Sequence, residues 1–186
     1  MPTILTHPAV PLAIGLGLGA RVISPRLLVA GVLASIAPDM DVVGFRLGIA
    51  YSDIEGHRGL LHSLAFALLL AALAAIAAGP LRTTRVRAFL FVGLAAASHG
   101  FLDMMTSGGL GVAWFWPFSD ERHFLPWRVI KVSPLSLQRL MSPGGHAVLA
   151  SELRMVWLPA AAACGALVLA RFAMHARRAR PPAANG

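Results

Sequence analysis

Apolar residues run along this chain in blocks long enough to fill helices, and the polar residues gather between the blocks. Residues 60–78 carry no Asp, Glu, Lys or Arg, and 156–170 are apolar between Arg154 and Arg171. A helix needs about 20 apolar residues to cross a bilayer core, with a range of about 17 to 25. The block 88–106 is apolar except for His99 and Asp103. Blocks 8–20 and 27–37 are shorter and are separated by the basic turn RVISPR. They predict a helical hairpin whose second arm continues past Pro38 in kinked form, because proline removes a backbone hydrogen bond and bends a helix. The pattern as a whole predicts an all-α, polytopic membrane helix bundle of four to five spans. Residues 107–154 form a polar, Gly/Pro/Trp-rich loop, too long to be structureless in a compact domain and expected to cap a site.

Composition agrees. The chain has 186 residues, 57% hydrophobic and 13% charged, with mean hydropathy +0.71, against about 45 to 50% apolar and about 25% charged in soluble domains. One membrane-embedded domain is expected over 1–174, followed by a basic, disordered cytoplasmic tail over 175–186. Cys164 is the sole cysteine, which excludes an intrachain disulfide and any thiolate metal cluster. The first residues lack the basic and small-residue signature of a cleaved leader.

The net charge of +8 is explained by its placement. Arg21, Arg26, Arg82, Arg85, Arg87, Arg171, Arg177, Arg178 and Arg180 flank the apolar blocks on one side if there are five spans, and lysine and arginine favour the cytoplasmic flank. The long loop is then non-cytoplasmic, with Trp114, Trp116, Trp127 and Trp157 in or beside it as an interfacial belt. No aromatic residue is interleaved with the RRAR run, so nucleic acid is disfavoured as a partner and the bilayer is the expected one.

On this topology the polar intruders converge. Asp39 and Asp41 lie about 20 to 22 Å up a helix from Arg26, and His99 and Asp103 about 18 to 24 Å up from Arg87. His7 opens the first arm, while His57 and His62 bracket the entrance of the 60–78 block. In His99-x-x-x-Asp103 the side chains share one helix face. An aspartate in lipid costs about 2.5 to 3.5 kcal/mol, so Asp103 needs a partner. Together these residues supply enough nitrogen and oxygen donors for two or three Zn²⁺-like ions. Simpler readings exist for single members: either aspartate could cap a helix after Pro38, and Thr106-Ser107-Gly108-Gly109 could merely end one. Gly15, Gly17 and Gly19 read as close helix packing.

Thr6-His7, Pro38-Asp39-Met40-Asp41, His57-Arg58-Gly59-x-x-His62-Ser63, Ser98-His99-x-x-x-Asp103-x-x-Thr106-x-x-Gly109 and Trp116-Pro117-Phe118-Ser119, in this order, resemble the YdjM-like family of LexA-binding, inner-membrane metal-dependent hydrolases. That family is in turn similar to the zinc-dependent phospholipase C and P1 nuclease group. The resemblance implies that His7, Asp39, Asp41, His57, His62, His99 and Asp103 hold or adjoin the metals, Zn²⁺ first among them. It also implies a later histidine ligand, for which His123, following the WPFS segment, is preferred over His146. Nothing in the residues speaks to LexA.

The expected function is hydrolysis of a phosphoester in a membrane lipid or lipid-linked substrate by a metal-activated water at the outer interface. Asp39 or Asp41 would orient or deprotonate the water, and Arg58 would bind a phosphoryl oxygen. The alternatives are a non-catalytic membrane interaction or regulatory protein and a metal-binding transporter. The transporter would need a polar path onward, yet 64–78 and 88–97 contain no charged residue.

Overall fold

The computed structural model describes residues 1–134 and 137–178; residues 179–186, most of the expected tail, lie outside the described residues. Helix α1 (Ala9–Leu18) ends at Gly19, whose φ of 78° only glycine adopts without strain. Helix α2 (Pro25–Ile36) starts on Ser24, whose side chain accepts from the Leu27 N–H. Its continuation past Pro38 is a tight 3-10 helix, Ala37–Leu47, as expected where a proline ring opposes the α-helical carbonyl four residues back. Helices α3 (Leu64–Ile76) and α4 (Arg85–Met104) are capped by Ser63 and Thr84. After the loop come α5 (Leu137–Leu140), α6 (Pro143–Glu152) and α7 (Leu158–Arg178).

Three segments are long and apolar enough to cross a membrane: Pro25–Leu47, Arg85–Met104 and Pro143–Ala176. Helices α1 and α3 are apolar but shorter, at 10 and 13 residues, or roughly 15 and 20 Å. The 60–78 block was expected to be a full span. It starts late because Leu60–His62 forms a separate 3-10 turn and Ser63 is extended, which turns His62 inward instead of lengthening the helix. The last helix differs the other way. It begins upstream of the expected 156–170, passing through a wide turn at Leu153–Trp157 in which the Leu158 N–H reaches Leu153 O. Pro159, which has no N–H to donate, follows that turn, and wide turns relieve such interruptions. Helix α7 also runs to Arg178, so the tail expected from residue 175 is helical for its first four residues.

Small residues let the helices approach. Ala67, Ala71 and Ala74 of α3 are buried, as are Ala88, Val92, Ala95 and Ala96 of α4. A Cβ on Gly17 would stand 2.7 Å from Leu167 Cβ of α7. This is the close packing expected of the α1 glycines and typical of membrane helices. Large apolar side chains point outward instead: Leu68, Leu69, Leu73 and Ile76 on α3, Leu90 and Leu94 on α4, and Val29 and Leu33 on α2 are exposed. So continuous a belt would aggregate in water, and lipid is its natural solvent.

The stretch after α4 is tied down by its backbone. Ser107 N–H donates to Ile130 O at 2.9 Å, Leu125 N–H to Met104 O at 3.0 Å, and Val112 and His123 exchange both bonds. Ala113 N–H reaches Arg58 O at 3.0 Å, Leu64 N–H reaches Trp114 O at 3.0 Å, and Ser133 N–H reaches Met1 O at 2.9 Å. The loop thus wraps the end of the bundle where α3 begins and α4 stops. No strand forms among the described residues.

Candidate metal centre

Four segments deliver buried polar side chains to that end. His7 precedes α1 in a turn made by Thr6 N–H to Thr3 O and Ala9 N–H to Thr6 O, at 2.9 and 3.1 Å. The turn is anchored from α6: Glu152, itself buried, accepts from Thr3 N, Thr3 Oγ1 and Thr6 Oγ1 at 2.5, 2.6 and 2.7 Å. Trp157 Nε1 donates to Thr6 Oγ1 at 3.2 Å. The His7 ring stacks on His99 with centroids 3.6 Å apart.

Asp39 and Asp41 lie on the 3-10 helix. Residues two apart point about 160° from each other on an α-helix but about 120° apart at three residues per turn. Both carboxylates are consequently buried against one ring: His62 places Nε2 3.8 Å from Asp39 Oδ1 and Nδ1 3.1 Å from Asp41 Oδ2. Asp41 Oδ1 also accepts from His57 Nδ1 at 2.7 Å, and Oδ2 from the Arg58 N–H at 3.2 Å. His99 Nδ1 lies 2.7 Å from Ser35 O. A carbonyl cannot donate, so Nδ1 carries a proton, and Nε2 is the ring nitrogen turned inward. That atom is 3.0 Å from His62 Nε2 and 3.4 Å from Asp39 Oδ1. Asp103 Oδ2 is 3.4 Å from His62 Nε2, and Oδ1 is 3.8 Å from His7 Nε2.

Two groups of donors result, His7–His99–Asp103 and Asp39–His57–His62, each with one ligand atom per residue and all such atoms within 4.8 Å of one another. Both nitrogens of His7 and all four carboxylate oxygens of Asp39 and Asp103 are buried without a hydrogen-bond partner among the described residues. Buried groups of this kind are normally satisfied, and cations satisfy carboxylates best. Burial lowers the His7 pKa to about 3, with His99 adding to the effect. Burial also works against protonating His62, but the carboxylates of Asp103, Asp39 and Asp41, at 3.4, 3.8 and 3.1 Å from its ring nitrogens, outweigh it and raise its pKa well above the ordinary value. Imidazole and carboxylate donors in this number fit Zn²⁺ or a similar divalent ion.

Three expected site residues stand as follows. Asp41, expected as a ligand, lies beside the two groups; its oxygens contact His57 and His62 and accept from the Arg58 N–H. Arg58, expected to meet a phosphoryl oxygen, is completely buried. Its Nε lies 3.1 Å from Asp103 Oδ2, and Nη2 and Nη1 donate to Thr106 Oγ1 and Gly108 O, each at 2.9 Å. The φ of 65° at Arg58 is a left-handed conformation that these bonds hold in place. His123, the preferred late ligand, is not brought into the cluster: its ring packs edge-on against Phe115 at 5.2 Å. His146 is exposed on α6.

Several participants were missed. Thr106 reads in sequence as a helix end but holds Arg58. Glu152 and Ser35 act through neighbours. The signal for Glu152 is that an acid is rare here, one of only eight in the chain. Tyr51, the only tyrosine, stacks on His57 at 5.4 Å. Arg122 ties the loop beneath it by donating to His57 O at 2.9 Å and Asp53 O at 2.8 Å. A cavity of about 240 Å³ opens beside the cluster between Phe45, Tyr51, His57, Gly109 and Val132. Gly109, with φ of 93°, keeps it open: a Cβ there would lie 2.7 Å from both Arg58 Nη1 and the Tyr51 hydroxyl.

Comparison of the sequence with known proteins matches this chain to membrane proteins of one family. The family model described as YdjM inner membrane protein matches residues 1–177. The inner membrane protein YbcI of Escherichia coli (strain K12) is 52% identical over 160 residues, covering 86% of this chain and 92% of YbcI. No solved structure matches. With apolar helices long enough to span and a match along nearly its whole length, the chain belongs to the YdjM family of inner membrane proteins.

Proposed function

We propose that this protein is a membrane-bound, metal-dependent hydrolase that cleaves a phosphoester in a lipid or lipid-linked substrate, with its site at the non-cytoplasmic interface. The observation that carries the reading is the pair of adjoining, buried His/Asp groups with unpartnered donor atoms, opening through His57 onto a cavity. His7, His99 and Asp103 would hold one ion, and Asp39, His57 and His62 a second. Two such ions supply Lewis acidity to a phosphoryl oxygen and lower the pKa of an attacking water. The chain's own residues fix the geometry. Asp41 holds the His57 and His62 rings through their Nδ1 atoms, so that each presents Nε2. Arg58 fixes the Asp103 carboxylate, and Ser35 fixes His99. Asp39, whose oxygens carry no hydrogen bond, is the better placed of the two neighbouring aspartates to accept a proton from the water. The apolar cavity wall and the exposed belt favour an amphiphilic substrate over a soluble one.

The test is metal content followed by turnover. Protein purified in mild detergent should carry at least about one equivalent of Zn²⁺ or a similar ion, consistent with the donor set. Changing both His99 and Asp103 to Ala should remove it. Full metal retention in that variant would defeat the site. Release of phosphate or a phosphorylated headgroup from a lipid panel should stop on adding a chelator. Equal turnover with and without chelator would defeat metal hydrolysis.

A further inference from the structure

Helix α1 leads away from the metal cluster, and at its far end lies a second cavity that the cluster does not use. Its volume is about 300 Å³, and it sits between the end of α1 and the last turns of α7. Gly17, Val22, Leu167 and Met174 line it together with Arg21 and Arg171. The close approach of α1 to α7 at Gly17 brings Arg21 and Arg171, from distant parts of the chain, to the lining of one notch. Arg171 is half-buried there: a Cβ on Gly19 would collide with its guanidinium, which also lies 5.7 Å over the Phe172 ring. The side chain is therefore held at the notch.

Among the described residues neither arginine has an ion-pair partner. All eight ion pairs among the described residues lie in the metal cluster. The eight acidic residues of the chain are Asp39, Asp41, Asp53, Glu55, Asp103, Asp120, Glu121 and Glu152, and none falls in the turns at this end or beyond Glu152. The notch is thus a fork of two arginines over an apolar wall, at the boundary of an apolar helix that spans Pro143–Ala176. Guanidinium groups bind phosphate oxygens bidentately, and basic pockets between membrane helices suit phospholipid headgroups.

We propose that the notch between α1 and α7 binds the headgroup phosphate of an anionic phospholipid, with Arg21 and Arg171 on the phosphate and Val22, Leu167 and Met174 against the acyl chain. The proposal is independent of the hydrolase reading, since these residues lie outside the metal cluster. The full-length protein is titrated with fluorescent phosphatidylglycerol in micelles of a zwitterionic detergent containing chelator, against phosphatidylcholine as reference. Two guanidinium contacts should give about a tenfold preference for the anionic lipid. Changing Arg21 and Arg171 together to Gln should abolish the preference. Arg85→Gln, which removes a charge among the same basic flanks but outside the notch, should keep it. Arg171→Lys, which keeps charge but loses the fork, should fall between. Circular dichroism of each variant checks its helix content, and the wild-type comparison of the two lipids decides the matter even if the double variant does not fold. Equal affinity for both lipids, an equal loss in Arg85→Gln, or displacement of the lipid by inorganic phosphate or a short oligonucleotide at matching concentration would overturn the assignment.

Discussion

The two ends of helix α1 solve the problem of charge near a membrane in opposite ways. At the His7 end, carboxylates and imidazoles are packed out of solvent against one another and against the Arg58 guanidinium, with donor atoms still unpartnered. At the Gly19 end, Arg21 and Arg171 line an apolar notch with no ion-pair partner among the described residues, and the Gly19 backbone and the Phe172 ring lie beside the Arg171 guanidinium. The first arrangement is costly unless a cation completes it, because a buried charge without a partner loses its hydration. The second costs little, because a long arginine side chain can keep its head at the polar boundary. The proposed ligands are accordingly cations at one end and an anion at the other, and each end is best disrupted by a different kind of change.

The largest effect is expected from Asp103→Ala. It leaves the completely buried Arg58 without its carboxylate, and removing one member of a buried pair costs about 3 to 5 kcal/mol. Thermal or denaturant unfolding in detergent measures this, and bound metal should fall alongside. An unchanged unfolding midpoint would show that the two ends do not differ in the way described.

A smaller effect is expected from Glu152→Ala, which strands three donors on Thr3 and Thr6. Leaving buried donors unsatisfied costs about 1 to 3 kcal/mol each before relaxation. The more telling readout is metal stoichiometry, because the turn that Glu152 holds carries His7. Glu152→Gln keeps an acceptor and should restore part of the metal, whereas equal loss in both variants would show that the anchor acts only through stability.

The smallest effect sharpens the boundary of the cluster. His123→Ala removes one aromatic contact with Phe115, worth about 0.5 to 1.5 kcal/mol, and should leave metal content unchanged. Loss of an equivalent of metal would restore His123 as a ligand and place the loop inside the site.

Much of this protein is legible in its sequence. Uninterrupted apolar blocks admit few structures other than helices in lipid, because no water is there to satisfy open backbone groups. The shared depth of Asp39, His99 and Asp103 is read from helical rise, counted from Arg26 and Arg87, and His7 and His62 are placed beside them by standing at the ends of apolar blocks. The N-caps at Ser24, Ser63 and Thr84 are equally local. These features depend on spacing within one element, and spacing is what a sequence records.

The division of labour within the cluster depends on which atoms face each other across elements, and the tertiary structure alone decides that. His57-Arg58 and Pro38-Asp39-Met40-Asp41 supply the right residue types, but a left-handed Arg58 and a 3-10 helix turn Arg58 onto Asp103 and Asp41 onto the two imidazoles. Glu152 and Thr3 are 149 positions apart, with nothing local to announce their pairing. His123 and His7 are the same residue type, yet one packs on Phe115 and the other stacks on His99. Sequence determined which residue types reach this end of the membrane helices, because that is a matter of counting along regular elements. Packing decided which of them meet in the two donor groups and which hold the others in place, because orientation is set by contacts between elements far apart in the chain.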